Sequence, residues 1–419
     1  MNEHDAEKMS ALLARSGLER IEEAKDADIV IVNTCCVREK AEQKFYSLMG
    51  RLRSLKRRKG VILGVTGCIA QSEKEGIGEK LPYIDFSLGP SSIHRITEAV
   101  EHAVRKARFF DFSDNGCTTS LAIEPGNPSR KIKAFVTIMK GCNNFCSYCI
   151  VPYVRGREVS RNSRDVVQEI EGLAAQGAKE VTLLGQNVNS YNKGVDDLSF
   201  PDLLKAINRI QGIERIRFVT SHPKDLSQGL IDCFGSLDKL CESIHLPFQA
   251  GSDKILNLMN RGYSTEGYLN KIRLLRERCP DIAITADCIV GFPGEEDGDF
   301  ERTMELVREV RFDGMFSFAY SPRKYTAASS LPDAVPREAA LERLARLQAV
   351  QKSITLEHNR SMEGKVVQVL VEDRSRNSED EVMGRTRTNK IVNFKGSADM
   401  MGSLLEVLIT KGYANSLRG

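Results

Sequence analysis

Short apolar runs alternate with amphipathic helical patterns through the centre of this sequence. Runs typical of strands buried on both faces of a sheet occur at 134–139, 181–184, 216–220, 244–247, 282–289 and 315–320. Between them, apolar residues recur at helical spacing, for example over 166–175, 202–211, 264–278 and 299–310. Strands that alternate with helices form βαβ units, and six such units favour a partial (β/α)6 barrel over a full eight-fold one.

The first part of the chain reads as a doubly wound α/β domain over residues 1–110. Continuous apolar runs at 29–32 and 61–65 predict two parallel strands. Asp5 is a suitable N-cap for a first helix that reaches about Leu18. In a doubly wound sheet a strand precedes the first helix, so we expect that strand to be missing from this sequence.

Two changes of pattern mark the remaining domains. Residues 111–131 are rich in Ser, Asn, Gly and Pro and predict a linker before a barrel domain over 132–357. A long charged helix at about 337–360 ends that domain. Short alternating strands then follow at 366–371, 381–387, 391–394 and 404–409. They predict a small antiparallel β-barrel over 360–419.

Composition narrows the class of protein. The chain is 41% hydrophobic and 28% charged, which is ordinary for a globular protein, and its net charge of +3 names no partner. No apolar run approaches the roughly 20 residues that span a bilayer, and the polar N-terminus does not resemble a secretory signal. We therefore expect a cytoplasmic protein without a membrane partner. Eleven cysteines in that reducing compartment indicate metal binding or chemistry more than disulfides.

A three-cysteine loop carries the strongest chemical signal. Cys142, Cys146 and Cys149 follow the first barrel strand directly, where barrel enzymes place their active sites. Three thiolates suit a four-iron cluster and leave one iron open for a ligand. The main alternative is structural zinc, which needs a fourth close ligand, and His222 is distant in sequence. Three buried apolar cysteines are a weaker alternative, because the loop is polar.

Polar residues and glycines follow the other barrel strands. The candidates for holding a cofactor are Gln186, Asn187, Gln249, Asp287 and Gly291, and Ser221 and His222 occupy a similar position. Glycine lets a backbone approach a ligand closely. Ordinary turn formation explains any single one of these residues equally well. Their shared position at one end of the barrel favours function for the set.

A second pair of cysteines ends two strands of the first domain. Cys35 follows the run at 29–32, and Cys68 follows the run at 61–65. Both therefore lie at the carboxyl edge of one parallel sheet, where such folds bind ligands. Two thiolates there suggest half of a metal site, and the alternative is a pair of buried core cysteines.

Three segments carry a resemblance to a known family. Residues 33–41, 141–158 and 384–394 resemble the radical S-adenosylmethionine methylthiotransferases, and the likeness covers almost the whole chain. The resemblance implies transfer of a methylthio group to C2 of N6-dimethylallyladenosine at position 37 of tRNA. It also implies S-adenosylmethionine, two [4Fe-4S] clusters, the tRNA anticodon loop as partner, an electron donor such as flavodoxin or ferredoxin, and a monomer.

The resemblance also assigns the cysteines. Cys142, Cys146 and Cys149 would hold the catalytic cluster that cleaves S-adenosylmethionine. Cys35 and Cys68 would supply two of three ligands to an auxiliary cluster. The family's first ligand stands in a Gly-Cys-Gln-Met-Asn segment, and this sequence begins at the Met-Asn of that segment. Cys36 is a poor substitute, because neighbouring residues at a strand end point to opposite sides.

The last domain resembles the TRAM module, a small RNA-binding barrel. Its stretch 384–395 carries Arg385, Arg387, Lys390 and Lys395 without an acidic residue, which suits RNA phosphates. Basic residues at 51–59 could serve the same purpose, although a solvated charged face explains both groups. Two other functions remain open: an RNA-binding protein with structural zinc, and the same chemistry on threonylcarbamoyl-adenosine in tRNA or on a ribosomal-protein aspartate.

Overall fold

A computed structural model describes residues 1–35, 39–114, 132–375, 378 and 380–419, with backbone alone at 39 and 40. The described chain forms two compact units. The first contains residues 1–128, 137–161 and 321–329, and the second contains 129–136, 162–320 and 330–419. Most of the predicted linker, from 115 to 131, lies outside the described residues. None of the helices in the described ranges has both the length and the apolar character to cross a bilayer.

A four-stranded parallel sheet organises the first unit, with its strands in sequence order. These strands are β1 (Ile29–Thr34), β2 (Ile62–Gly67), β3 (Phe86–Leu88) and β4 (Phe109–Asp111). The helices between and before them are α1 (Asn2–Arg15), α2 (Glu39–Lys59), α3 (Cys68–Glu73), α4 (Gly76–Lys80) and α5 (Ile96–Val104). The two predicted strands are therefore present and pair in parallel, with Ile29 opposite Ile62 and Thr34 opposite Gly67.

Apolar side chains cover both faces of this sheet, which confirms the doubly wound prediction. On one face, Met9 of α1 and Ile96 of α5 pack against Phe86. On the other, Met49 of α2 and Leu63 belong to a separate core. The first helix begins at Asn2, with Met1 as its N-cap, so the prediction that Asp5 caps it is wrong. Asp5 is buried and bonded elsewhere, as described below.

The rest of the first unit is short. Strands β6 (Met139–Lys140) and β7 (Val159–Ser160) pair antiparallel and enclose α6 (Val151–Arg155). Ile150 and Val154 pack into the core that contains Met49. The segment that carries the three-cysteine loop is thus part of the same compact unit as the N-terminal sheet.

The second unit is built around two three-stranded sheets, β5-β8-β9 and β10-β11-β12. Their strands are β5 (Lys133–Thr137), β8 (Glu180–Leu184), β9 (Arg215–Phe218), β10 (Ser243–His245), β11 (Ala283–Val290) and β12 (Gly314–Ala319). The helices are α7 (Ser163–Ala175), α8 (Phe200–Asn208), α9 (Gln228–Ser236), α10 (Asp253–Leu258), α11 (Thr265–Arg278) and α12 (Asp297–Val310). A parallel bridge between Ile216 and Leu240 links the two sheets, giving the predicted six-stranded partial barrel.

The C-terminal part of the second unit is a curled sheet in the order β16-β13-β14-β15-β18-β17. It follows the long helix α13 (Arg337–Arg360), and its strands are β13 (Val366–Arg374), β14 (Glu381–Thr386), β15 (Ile391–Lys395), β16 (Leu404–Leu408), β17 (Lys411–Gly412) and β18 (Leu417–Arg418). Val369, Val392 and Leu417 are at most 1% exposed and form its core. The predicted small β-barrel is therefore present.

Candidate functional site

The backbone of the three-cysteine loop is held by the chain that returns from it. The amide of Cys142 donates to the carbonyl of Gly156 at 3.1 Å. Gly141 has φ +77°, and a Cβ there would stand 1.9 Å from the carbonyl oxygen of Arg157. Only glycine fits this position without displacing the returning strand. The amide of Cys149 donates to the carbonyl of Cys146 at 2.9 Å, which closes a tight turn.

The three thiols differ in burial. Cys146 is 8% exposed, whereas Cys142 and Cys149 are half-buried. No three His, Cys, Asp or Glu side chains in the described part of the chain gather tightly enough for a single metal ion. Thiolates that hold an iron–sulfur cluster are soft donors, and in a cubane each binds a different iron. Three soft donors on one short loop, with two of them reachable from solvent, fit such a cluster.

Unsatisfied polar atoms mark the barrel-strand ends in the second unit. The Oδ1 of Asn187, the Oγ of Ser221 and the Oε1 of Gln249 are buried and have no hydrogen-bond partner among the described residues. Leaving such an atom unpaired costs about 1–3 kcal/mol. Three orphaned polar atoms at strand ends predicted to hold a cofactor fit a polar ligand such as S-adenosylmethionine.

Gln249 and Asp287 stand on adjacent chain segments. The amide of Gln249 donates to the carbonyl of Asp287 at 3.0 Å, and Gln249 has φ +67°. A left-handed backbone costs a residue with a Cβ roughly 1–2 kcal/mol, and such strain concentrates at functional sites. His245 was not among the predicted site residues, and its Nε2 lies 3.4 Å from Asp287 Oδ2. Its Nδ1 is 3.0 Å from the hydroxyl of Thr285.

The other predicted cofactor residues have structural roles of their own. The amide of Gly291 donates to Glu295 Oε1 at 2.8 Å, and its φ is +69°. A Cβ at Gly291 would lie 2.5 Å from that of Ala340. Asn187 donates its side-chain amide to Asp225 at 2.8 Å, and Gln186 beside it is half-buried. A cofactor role stays a prediction for these three residues, as it does for Gln249 and Asp287.

His222 is a neutral turn residue. Its Nδ1 accepts a hydrogen bond from the amide of Lys224 at 3.2 Å. Burial, with Arg261 nearby, lowers the pKa of His222 to about 2. Burial would raise the pKa of Asp225, but hydrogen bonds from Lys193 and Asn187 bring it below its ordinary value. The imidazole therefore serves as an uncharged acceptor that shapes the turn.

Cys35 and Cys68 follow paired strands of the first unit. β1 and β2 run in register up to Thr34 and Gly67, so the two cysteines leave the sheet side by side. Cys68 is 4% exposed and begins α3, whereas Cys35 is half-buried. The buried hydroxyl of Thr66 has no partner among the described residues. The donor set fits part of a thiolate site, and Cys36 lies outside the described residues.

Arg155, which was not among the predicted site residues, lies beside Cys68. The Arg155 guanidinium is 7% exposed and donates to Asp5 Oδ2 at 2.8 Å and to Asn2 Oδ1 at 3.0 Å. Burial opposes its charge, but the Asp5 carboxylate and the hydrogen-bonded Cys68 sulfur raise the pKa of Arg155 overall. A donor of this kind stabilises a thiolate. Its signal in the sequence was weak, because its partners lie about 90 and 150 positions away.

Four further cysteines are ordinary core residues: Cys233, Cys241, Cys279 and Cys288 are all buried in the second unit. Burial raises the pKa of each thiol, to about 11 for Cys279. A raised pKa favours the protonated thiol, whereas the thiolate is the form that binds metal.

Most basic residues of the predicted RNA-binding stretch are paired within the second unit. Arg387 contacts the Glu242 carboxylate at 2.7 Å, and Lys390 contacts Asp313 at 2.9 Å. Arg385 lies 3.4 Å from Glu372, while Lys395 is exposed. Arg387 and Lys390 thus attach the C-terminal sheet to the partial barrel of the same unit, and their contact with RNA stays a prediction.

Family models match three parts of the chain. The Radical SAM superfamily matches residues 136–307, the Uncharacterized protein family UPF0004 matches 1–89, and the TRAM domain matches 360–419. These matches cover both cysteine groups and the C-terminal sheet.

Curated relatives match along the whole chain. A tRNA-2-methylthio-N(6)-dimethylallyladenosine synthase of Syntrophus aciditrophicus is 51% identical over all of this chain and 92% of its own length. A protein of the same name from Geobacter metallireducens is also 51% identical, over all of this chain and 95% of its own length. Among solved structures, the radical S-adenosylmethionine methyltransferase TsrM of Kitasatospora setae superposes with a TM-score of 0.56. That match covers 78% of this chain and 72% of TsrM at 14% identity, a likeness of fold alone.

Proposed function

This chain belongs to the tRNA-2-methylthio-N(6)-dimethylallyladenosine synthase family, and from that premise we propose a role for each group of site residues. The enzyme is a radical S-adenosylmethionine methylthiotransferase that modifies C2 of N6-dimethylallyladenosine at position 37 of tRNA. Its cofactors are S-adenosylmethionine and [4Fe-4S] clusters.

The observation that carries the proposal is the three-cysteine loop. Cys142, Cys146 and Cys149 would hold the catalytic cluster, with Gly141 and Gly156 fixing the backbone around them. When bound, the cluster and S-adenosylmethionine supply the one-electron chemistry of the reaction. Because Cys142 and Cys149 are half-buried, a small molecule could reach a cluster held by the loop. The buried Cys146 would fix the cluster to the protein.

The unsatisfied atoms at the barrel-strand ends would bind S-adenosylmethionine. Asn187 and Gln249 would each accept a hydrogen bond through a carbonyl oxygen that now has no partner. Ser221, which also follows a barrel strand, would join them through its buried hydroxyl. Asp287, 32% exposed and next to His245, would accept from a ligand hydroxyl or ammonium group. Gln186 and Gly291 would complete the wall of the site.

Cys35 and Cys68 would contribute two ligands to the auxiliary cluster. Arg155 would donate to the Cys68 sulfur and place a positive charge beside the negative thiolate of a ligand. Its charge would also reduce the electrostatic cost of holding an anionic cluster in a buried place. Asp5 and Asn2 would orient the guanidinium for that contact.

The tRNA must present its adenine unstacked for the chemistry to reach C2. Exposed basic residues on α2, including Arg51, Arg57 and Arg58, and Lys395 of the β-barrel would bind phosphates. The electron donor would be a small reductant of the flavodoxin or ferredoxin type. We further propose that the enzyme acts as a monomer in the cytoplasm.

The test is anaerobic reconstitution followed by two product assays. Wild-type enzyme should form 5′-deoxyadenosine and 2-methylthio-N6-dimethylallyladenosine in tRNA, measured by mass spectrometry. The triple variant Cys142→Ala, Cys146→Ala, Cys149→Ala should form neither. Cys233→Ala, a matched change at a buried cysteine, should keep its iron and sulfide. Zinc without sulfide in wild-type protein, or 5′-deoxyadenosine from the triple variant, would contradict the proposal.

A further inference from the structure

Two tyrosines beside the cysteine loop are exposed together. Tyr153 of α6 is 46% exposed and Tyr325 is 53% exposed. Their ring centroids lie 6.4 Å apart with an interplanar angle of 31°. We call this pair the aromatic platform. Tyrosine is enriched at interaction sites, because it combines a large apolar ring with a polar hydroxyl.

The aromatic platform is fixed in place by its own unit. The rings of Phe145 and Tyr153 are perpendicular with centroids 6.3 Å apart, which ties the platform to the loop between Cys142 and Cys146. The hydroxyl of Tyr325 donates to the carbonyl of Ser72 at 3.3 Å. Nearby, the amide of Ala328 donates to the carbonyl of Ser147 at 2.8 Å. The rings are therefore oriented before any ligand arrives, which lowers the entropic cost of binding.

Backbone strain accompanies this exposure. Tyr325 has φ +69°, a left-handed conformation that costs a residue with a bulky side chain of order 1–3 kcal/mol. Apolar burial does not repay that cost, because more than half of the side chain faces solvent. A ligand that uses the ring would explain why it is held there.

Positive charge surrounds the rings. The Lys324 ammonium lies 5.4 Å from the centre of the Tyr325 ring, and the Arg157 guanidinium lies 5.1 Å from that of Phe145. The Lys324 side chain is 57% exposed, whereas its partner Glu73 is 10% exposed, so the surface presents the cation. Flat rings between cations are the recognition chemistry of single-stranded nucleic acid, because bases stack and phosphates pair with cations.

We propose that the aromatic platform stacks an unpaired base of the tRNA anticodon loop, next to the adenine that reacts. The platform is open to water, and the reacting carbon needs a shielded place, so the stacked base is a neighbour of that adenine. The inference rests on the proposed function, since it takes tRNA as the substrate. It adds Tyr153 and Tyr325 as substrate-binding residues.

The test uses an anticodon stem–loop RNA that contains N6-dimethylallyladenosine, with affinity measured by fluorescence anisotropy on the reconstituted full chain. Tyr325→Leu and Tyr153→Leu should each weaken binding about 5- to 150-fold, the effect of one lost base stack. Tyr153→Phe is the matched control and should bind within about twofold of wild type, because the ring remains. Tyr325→Phe keeps the ring but loses the hydrogen bond to Ser72, so its affinity should lie between those of wild type and Tyr325→Leu. Circular dichroism and thermal unfolding verify that each variant is folded.

A second arm identifies the base. Each loop nucleotide is replaced in turn by an abasic one, and at one position the Tyr325→Leu protein and wild type should bind with equal affinity. Leucine variants that bind like wild type would overturn the platform while leaving the proposed function intact. The platform proposal would also be overturned if the leucine variants bind more weakly than wild type to every one of the abasic RNAs. Failure of wild-type protein to bind the RNA would overturn both proposals.

Discussion

Replacing Arg155 with methionine tests the buried ion pair at the candidate auxiliary site. Both side chains are only 7% exposed, and the N–O distance to Asp5 is 2.8 Å. Arg155→Met keeps a long apolar stem but leaves the Asp5 carboxylate buried without a counter-charge. Breaking one side of such a pair costs about 3–5 kcal/mol, mostly the penalty of the remaining charge.

A double-mutant cycle isolates this term. Asp5→Asn combined with Arg155→Met removes both charges, so we expect the double variant to be more stable than Arg155→Met alone by about 2 kcal/mol. Arg155→Lys should fall between wild type and Arg155→Met, because it keeps the charge but loses the planar guanidinium whose Nη2 donates to both Asp5 and Asn2. The measurement is urea unfolding of the cluster-free protein, monitored through the fluorescence of a label in the first unit.

Two results would refute the reasoning. A loss below about 1 kcal/mol for Arg155→Met would mean that water already screens the pair, contrary to its burial. Additive effects in the double variant would mean that Asp5 and Arg155 do not interact energetically. Either outcome would also remove the basis for a role of Arg155 beside Cys68.

Three further predictions concern other parts of the chain. The pKa of His222 is about 2 in the folded protein and ordinary in the unfolded chain, so protonation favours the unfolded chain as the pH falls below about 6.5. Between pH 7 and pH 5 this lowers the free energy of unfolding by about 2 kcal/mol. The urea midpoint of a His222→Gln variant should not show that part of the pH dependence. Gly141→Ala should reduce the amounts of iron and sulfide bound at the three-cysteine loop, because the added Cβ would lie 1.9 Å from the Arg157 carbonyl oxygen. Gly172→Ala is the control and should leave both amounts unchanged, because nothing lies within 4 Å of the added Cβ. Arg387→Met should cost about 1–3 kcal/mol through loss of Glu242, while the salt dependence of tRNA binding stays the same; a smaller salt slope would show that Arg387 binds phosphate.

Local patterns predicted the architecture well where the signal is local. The strand from Ile29 and the helix Arg337–Arg360 follow directly from apolar runs and helical spacing. The spacing of Cys142, Cys146 and Cys149 likewise marks a loop that lies within the residues matched by the Radical SAM family model, 136–307. Such features depend on neighbours within a few positions, which a single sequence displays.

Features made by distant residues could not be predicted. Asp5 looked like a helix cap because caps are local, yet its partner is Arg155, 150 positions away. Arg387 and Lys390 looked like RNA contacts because charge is visible in sequence, whereas Glu242 and Asp313 become their neighbours only after folding. The left-handed backbone conformation of Tyr325 could not be predicted either, since glycine and asparagine are the residues that usually adopt it.

The short helix Val151–Arg155 has a consequence for dissecting this enzyme. Val154 in this helix and Ile150 just before it pack into a core of the N-terminal sheet. Arg155 at the end of the helix donates a hydrogen bond to Asp5. An expression fragment that starts at the linker would expose the apolar side chains of Ile150 and Val154 to water. It would also leave the Arg155 guanidinium without Asp5. Work on the three-cysteine loop in isolation would therefore yield aggregates, and chimaeras between relatives should exchange the first 114 residues together with 137–161.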